Sequence, residues 1–338
     1  MLACQPADDL PPVQVEGEIL TYAADEDICD GTVEYGERWM KAVGTRLGIS
    51  PDELRPTTYY RVSQDEAFDR CGAPGCARVI DGEVRIFAPG ILNKHELVHA
   101  VHLSAWPRRR PLLTEGLAML LDDSNRSQFV EFDQFGFDVD AAIEQARAAD
   151  ESYVVGVWIV HWVIARHGFD AFRDFWHADT KNGSAEEFRA LFEQHFGESL
   201  DTMLAAVAGH PACPLATCVE DVVAWQGDLW TTESPMGCGD GLTIGSKSTT
   251  DPDLERAVLL DVPESGTYAV SVSDSVFGNG QGVVIQPCGG GCGQFPNGGT
   301  TVYSGSTGDV VWEPGLYRVT TFKLDATDPG VRVEIRPK

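Results

Sequence analysis

The stretch Lys94-His95-Glu96-Leu97-Val98-His99-Ala100 constrains the fold of this chain more than any other, because its chemistry requires a helix. Residues four apart share one face of an α-helix, so His95 and His99 can direct two imidazole nitrogens at one metal ion. Glu96 borders the same site. This HExxH spacing is a zinc hydrolase signature, and it predicts one catalytic zinc ion.

A third protein ligand is needed, and two candidates follow the motif. His102 lies on the same helix face as His95, but about 10 Å further along the axis, which zinc bonds of about 2.1 Å span poorly. A metzincin would have Gly at position 102 and His at position 105, where this chain has His102 and Ala105, so that class is excluded. The other candidate is Glu115, within Pro-Leu-Leu-Thr-Glu-Gly-Leu-Ala-Met-Leu-Leu.

The segments HELVHA and LLTEGLAMLL together resemble the gluzincin metallopeptidases, the thermolysin-like superfamily in which a second helix supplies a glutamate as third zinc ligand. The resemblance covers about residues 30–207. It implies His95, His99 and Glu115 as metal ligands and Glu96 as the general base that activates water against a peptide bond. His102 is then expected to be structural or to support a ligand.

A later segment, Tyr153 to Ile164 followed by Arg166-His167-Gly168, is similar to a gluzincin segment that runs from a tyrosine into an apolar helix ending in glycine. By this resemblance the phenol of Tyr153 stabilises the oxyanion, with His161 as the alternative donor. The match is partial, because Val157 and Trp158 stand where the family has small residues. Tyr153 could equally be an amphipathic residue that opens a core helix.

The residues before the zinc motif bear on the substrate. In the family, a strand just before the zinc helix pairs with extended substrate, and Val84-Arg85-Ile86-Phe87 is the candidate. The segment Phe87 to Asn93 lacks the GxMEN-type sequence by which gluzincin aminopeptidases hold a free amino terminus. The resemblance therefore implies an endopeptidase acting on peptide or protein substrates.

The pattern along the chain predicts an α+β protein: a mainly helical zincin-type catalytic domain with a small sheet, followed by an all-β sandwich. Apolar residues recur at helical spacing from Thr32 to Leu47, and Thr57 to Val62 reads as a strand. After residue 239, short alternating runs separated by turn residues predict an antiparallel sandwich. These runs are Ala257–Leu260, Thr267–Val272, Val283–Ile285, Val310–Trp312, Tyr317–Thr321 and Val331–Ile335. The predicted division is a tether (1–18), a metallopeptidase domain (19–210), a Cys- and Pro-containing linker (211–238) and an accessory sandwich (239–338).

The net charge and the cysteines of the chain indicate its partners and its location. The chain has 25 basic and 52 acidic residues and a net charge of −27, which argues against nucleic acid as a partner. None of its nine cysteines belongs to a CxxC pair, so we expect disulfides and an extracellular or bacterial cell-envelope location. We expect a monomer without a transmembrane helix.

Met1-Leu2-Ala3-Cys4 resembles the end of a bacterial lipobox, which makes Cys4 a candidate lipid anchor. No charged or apolar leader segment precedes it, so this reading needs a signal peptide upstream of the sequence given. Setting Cys4 aside leaves eight cysteines to pair, including a local Cys288–Cys292 disulfide.

The sequence also allows a function of another class. The alternative is a surface binding or adhesion protein whose peptidase-like domain is catalytically silent. Degenerate peptidases commonly lose the base or a ligand, whereas His95, Glu96, His99 and Glu115 are all present here. The sequence therefore favours the enzyme.

Overall fold

The computed structural model describes residues 10–122, 136, 138–145, 150–208, 215–234, 236–239, 241–247, 254–274, 282–289, 300–303, 305–323 and 331–338. A helical region with one small sheet comes first, and two further sheets follow that enclose a core of their own. The α+β class predicted from the sequence is therefore confirmed in its coarse form. Each of the two regions buries its own apolar cluster.

The first sheet has the strand order β1-β2-β3-β5-β4. Its strands are β1 (Val13–Glu16), β2 (Leu20–Ala23), β3 (Thr57–Arg61), β4 (Cys76–Ile80) and β5 (Glu83–Ala88). Strand β5 pairs in parallel with β3 and antiparallel with β4, so both of its edges are used. The expectation that Val84 to Phe87 pairs with substrate is therefore wrong, because a strand in the interior of a sheet has no free edge. On this side of the sheet the edge strand is β4.

Strand β4 was missed because its residues alternate less clearly than those of β5. The signal that could have found it is Asp81-Gly82, which joins β4 to β5 with both residues at positive φ. A two-residue turn of this kind is the strongest local indication of a β-hairpin.

The predicted tether is also wrong in part. Strand β1 pairs antiparallel with β2 at the other edge of the sheet, so residues 13–16 belong to the folded region. The prediction for residues 1–9 lies outside the described residues.

The helices are α1 (Gly31–Leu47), α2 (Gln64–Cys71), α3 (Lys94–Ala105), α4 (Pro111–Leu121), α5 (Val139–Glu144), α6 (Asp150–Ala178), α7 (Ala185–Phe196) and α8 (Leu200–Val207). Helix α1 agrees with the predicted Thr32–Leu47 and ends at Gly48, whose φ of 71° suits a residue without Cβ. Helix α6 is interrupted at Gly168, where the backbone is non-helical. Its apolar face packs against α4 in the core.

The sandwich consists of a sheet ordered β13-β10-β15-β7 and a second ordered β12-β11-β14-β9-β6, with β8 pairing to β9. Its strands are β6 (Val222–Val223), β7 (Trp230–Ser234), β8 (Ile244–Gly245), β9 (Leu254–Val262), β10 (Gly266–Asp274), β11 (Gly282–Pro287), β12 (Thr300–Tyr303), β13 (Thr307–Trp312), β14 (Gly315–Lys323) and β15 (Val331–Pro337). All six runs predicted as strands lie within these elements. The predicted linker is wrong in extent, because β6 and β7 fall inside residues 211–238 and pair with β9 and β15.

The described residues form three disulfides: Cys29–Cys238, Cys71–Cys76 and Cys218–Cys288. The first links the start of α1 to the sandwich region, where the backbone N–H groups of Cys29 and Asp30 also donate to carbonyls of that region. The predicted Cys288–Cys292 disulfide is wrong, because Cys288 is bonded to Cys218. Cys4, Cys213 and Cys292 lie outside the described residues.

Within the described part of the chain, each helix is too short or too polar to cross a lipid bilayer.

Candidate metal centre

Three side-chain atoms from two helices converge in the helical region. Nε2 of His95 lies 3.0 Å from Oε2 of Glu115, and Nε2 of His99 lies 3.2 Å from the same oxygen. The two Nε2 atoms are 3.2 Å apart. Across the described ranges, no other group of three histidine, cysteine or acidic side chains is placed to share a metal ion.

The first two of these side chains are fixed by the start of helix α3. Asn93 caps the helix by accepting a hydrogen bond from the N–H of Glu96. The buried phenol of Tyr59 accepts from the N–H of Asn93 and donates to the carbonyl of Gly90, so the sheet holds the turn that precedes the helix. From this fixed start, one helical turn carries His95 and His99 to the same face.

Glu115 is delivered by α4, which crosses α6 at very short range. A Cβ on Gly116 would come within 2.3 Å of the backbone of Gly156, so only glycines allow this approach. Arg110, at the start of α4, is buried and donates hydrogen bonds from Nε and Nη2 to the carboxylate of Asp179, just after the end of α6. Both contacts fix the position of α4, and therefore the position of Glu115 opposite the two histidines.

The three atoms fit a zinc ion. Two ligands of a tetrahedral zinc with bonds of about 2.0–2.1 Å lie about 3.3–3.4 Å apart. The sides of the observed triangle, 3.0, 3.2 and 3.2 Å, are shorter by only a few tenths of an ångström. Two imidazoles and one carboxylate are also a donor set of catalytic zinc sites, which leave one position open.

The electrostatics of the triangle favour positive charge. Burial lowers the pKa of His95, but its contact with Glu115 and the charges of Glu96, Glu115 and Asp122 outweigh burial and raise it to about 9. Burial raises the pKa of Glu115, yet the two imidazoles hold it well below its usual range. A site that stabilises a protonated imidazole and an ionised carboxylate also suits a divalent cation.

Glu96 lies beside the triangle and is 6% exposed. Its Oε2 atom makes no hydrogen bond to any described residue. Burial raises its pKa, against the opposing charges of His99 and His95. A carboxylate whose pKa is raised towards neutral pH can accept a proton and later return it, as a general base must.

The loop that the Cys71–Cys76 disulfide closes contributes to the site through Gly75. A Cβ at position 75 would lie 2.8 Å from Oε1 of Glu96. The predictions did not include this residue, and its only local signal is a glycine inside a short loop between two cysteines.

His102 contacts His99 without joining the triangle. Its Nε2 lies 3.1 Å from Nδ1 of His99, and its ring packs 5.2 Å from that of Trp176. Burial lowers the pKa of His102 well below its usual value, which keeps the imidazole neutral. The expectation of a supporting role fits this geometry, since an outer partner on the far nitrogen orients a ligating histidine.

Tyr153 reaches the site and His161 lies away from it. The ring of Tyr153 is 5.9 Å from that of His95, at the start of the part of α6 that crosses α4. His161 follows eight residues later, about 12 Å further along the helix. Of the two donors considered from the sequence, the structure brings Tyr153 to the triangle.

No protein-family model matches the chain, and no curated protein matches it significantly. Among solved structures it is similar to the pre-peptidase C-terminal domain of a Bacillus anthracis collagenase, at 12% identity over 34% of this chain and 90% of that one, with a TM-score of 0.22. It is also similar to an isomalto-dextranase of Arthrobacter globiformis, at 20% identity over 33% of this chain and 22% of that one, with a TM-score of 0.17. A carbohydrate-binding module of a Cellvibrio mixtus lichenase matches at 14% identity over 35% of this chain and 98% of that one, with a TM-score of 0.16. Similarity this weak carries no argument about fold or function.

Proposed function

We propose that this chain is a zinc metallopeptidase of the gluzincin type. The observation that carries the proposal is the triangle of His95, His99 and Glu115 with the buried carboxylate of Glu96 beside it. The metal is proposed to be zinc because the number, type and spacing of the donors suit it. The three disulfides support a secreted or cell-envelope protein, with Cys4 as the proposed lipid anchor.

In the proposed reaction each side chain has a separate role. His95, His99 and Glu115 would hold the zinc ion, which when bound would lower the pKa of water and polarise a carbonyl group. Glu96 takes the proton from the attacking water and passes it to the leaving amine. His102 holds the imidazole of His99 in place, and the phenol of Tyr153 donates to the developing oxyanion.

The substrate is proposed to be an extended peptide that binds along strand β4. This strand is the edge of the sheet and packs against α3, the helix that carries both histidines and Glu96. An extended peptide can pair with the backbone of an edge strand. Internal peptide bonds can then reach the metal centre, as expected of an endopeptidase.

The test is the variant Glu96→Gln, with Glu186→Gln on the exposed face of α7 as matched control. Glu96→Gln should retain one zinc per chain and lower casein hydrolysis by several orders of magnitude, because only the proton acceptor is lost. The control should match wild type in both measurements. Equal hydrolysis by Glu96→Gln would show that the assigned chemistry is wrong.

The alternative, a silent binding protein, predicts another outcome. Zinc-loaded wild-type protein that cleaves nothing in a broad peptide library would favour that reading. Retention of zinc would then reflect a structural site.

A further inference from the structure

The loop of residues 72–75 joins α2 to the edge strand β4, and a disulfide closes the loop at its base. Cys71 is the last residue of α2, and Cys76 is the first residue of β4. The three atoms nearest to a Cβ at Gly75 would all belong to Glu96: Oε1 at 2.8 Å, and Cδ and Cγ at 3.3 Å each. The loop therefore packs against the side chain of the proposed general base.

Packing, rather than a hydrogen bond at Oε2, restrains the carboxylate of Glu96. The residue is 6% exposed, and its Oε2 atom makes no hydrogen bond to any described residue. A general base has to lie within about 2.6–3.2 Å of the group whose proton it takes. A small displacement of the loop is therefore expected to move the carboxylate out of its working position.

The loop itself has few other restraints. Among the residues that the structure describes, residues 73–75 have no hydrogen-bond partner. A Cβ at Gly72 would meet nothing within 4 Å, so the start of the loop faces open space. Nη2 of Arg78 donates a hydrogen bond of 3.2 Å to the carbonyl of Cys71, across the base of the loop. Without the bond between Cys71 and Cys76, this hydrogen bond remains across the base, but no covalent restraint does.

The sulfur atoms can be reached from solution. Cys71 and Cys76 are both partly exposed, whereas Cys29 of the Cys29–Cys238 disulfide is fully buried. Gly72 and Pro74 in the loop are exposed. Access of this kind allows exchange with a thiol or a disulfide in solution.

We infer that the Cys71–Cys76 disulfide positions Glu96, so that the peptidase becomes fully active only when this bond forms. The two cysteines act through Gly75 and are positioning residues. They remain thiols in a reducing cytosol, and the bond forms after export to an oxidising compartment. This inference rests on the proposed function, in which Glu96 is the general base.

The bond forms by thiol–disulfide exchange with a disulfide-containing oxidant, such as oxidised glutathione. The thiolate of one cysteine attacks a sulfur of the oxidant, which releases one thiol and leaves a mixed disulfide. The second thiolate then attacks the cysteine sulfur of the mixed disulfide and releases the second thiol. The two cysteines lose two electrons and two protons, and the oxidant gains them.

The double variant Cys71→Ser, Cys76→Ser tests the inference. It should keep one zinc per chain and the wild-type KM, while kcat falls about tenfold to a hundredfold, because a shift of about 1 Å in a catalytic group can cost roughly a hundredfold in rate. The matched control, Cys218→Ser, Cys288→Ser, removes a disulfide between the segment before β6 and the end of β11 and should keep the wild-type kcat. An unchanged kcat in the first variant, an equal loss in both variants, or loss of zinc together with kcat would overturn the inference.

A titration of the wild-type chain in glutathione buffers of graded ratio gives a second test. Alkylation and mass spectrometry measure the oxidised fraction of each disulfide, and peptide hydrolysis is measured at the same points. Hydrolysis should rise with the oxidised fraction of Cys71–Cys76. Hydrolysis that follows another disulfide would contradict the inference, and this titration decides alone if the double variant unfolds at the assay temperature.

Carbodiimide labelling of zinc-free protein separates the inference from the proposed function. The loop shields Glu96 in the wild type, so labelling of Glu96 should increase in the Cys71→Ser, Cys76→Ser variant, whereas the exposed Glu186 of α7 should label equally in both. If zinc-loaded wild type cleaves no peptide while this difference is present, the proposed function fails and the placement of Glu96 by the disulfide stands. Equal labelling of Glu96 in both proteins would overturn the inference.

Discussion

The backbone of Gly75 lies directly against the carboxylate of Glu96, so that a Cβ at position 75 would be 2.8 Å from Oε1. Gly75 belongs to the loop that the Cys71–Cys76 disulfide closes, immediately before the edge strand β4. The short loop therefore limits where the proposed general base can lie. This contact links the disulfide framework to the proposed general base.

Gly75→Ala should lower kcat while zinc stays bound. The added methyl group displaces the Glu96 carboxylate, and a shift of about 1 Å in a catalytic group can cost roughly a hundredfold in rate. Gly90→Ala is the matched control, because a Cβ there meets nothing within 4 Å. Peptide hydrolysis and zinc content should be measured on both; an unchanged kcat in Gly75→Ala would contradict the positional role.

The variants Glu115→Ala and His102→Ala distinguish a proposed metal ligand, Glu115, from a residue that is proposed to orient a ligand, His102. Loss of Glu115 leaves two histidines for the ion, so zinc affinity and activity should fall together. Loss of His102 removes no proposed ligand, but it removes the contact with Nδ1 of His99 and the packing against Trp176. It should cost roughly 10- to 100-fold in affinity or activity, with zinc still bound in excess metal. Zinc stoichiometry and hydrolysis rates decide between these roles. Full zinc and full activity in Glu115→Ala would contradict the proposed gluzincin-type site.

Tyr153→Phe should reduce kcat with little change in KM, because the phenol is proposed to stabilise charge that develops only in the transition state. Removal of one oxyanion donor typically costs about 10²–10³ in kcat. His161→Phe, about 12 Å further along α6, should have little effect on kcat. A larger loss in the His161 variant would reverse the two assignments.

The Cys29–Cys238 disulfide should keep the two regions together after the chain is cut. With a protease site inserted within residues 209–212, before Cys213, cleavage should leave one species on a denaturing gel and two after reduction, because this bond crosses the cut. The Cys29→Ser, Cys238→Ser double variant should separate without reductant. Zinc loss from the separated helical fragment would mean that the sandwich helps to build the metal centre.

Thiol labelling tests the remaining cysteines. The six cysteines of the described disulfides are blocked, and Cys213 and Cys292 are predicted to be blocked as well. Alkylation of unreduced, denatured protein should therefore label at most Cys4, as read by mass spectrometry. More than one labelled thiol would contradict the pairing.

Much of this molecule could be predicted because the relevant geometry is local. The spacing of His95 and His99 places both on one face of a helix wherever that helix packs, and His102 follows within one further turn. Alternating residues predicted six strands of the sandwich for the same reason, since side chains of a strand alternate between its faces. Glu115 was predicted as the third ligand from the resemblance to the gluzincins, and not from its spacing to the histidines.

Tertiary structure decided the features that depend on distant segments. Strand β4 lies at the sheet edge because of the order of the strands in the sheet. The sequence of Val84 to Phe87, in β5, does not reveal that order. The close approach of Gly116 to Gly156 fixes the position of Glu115 relative to the histidines. The packing of the Cys71–Cys76 loop places Gly75 against Glu96. The pairing of Cys288 with Cys218, 70 residues away, likewise depends on the fold. Periodicity determines which face of a helix or strand a residue occupies, whereas the partner of that face is set by close packing of segments far apart in the chain.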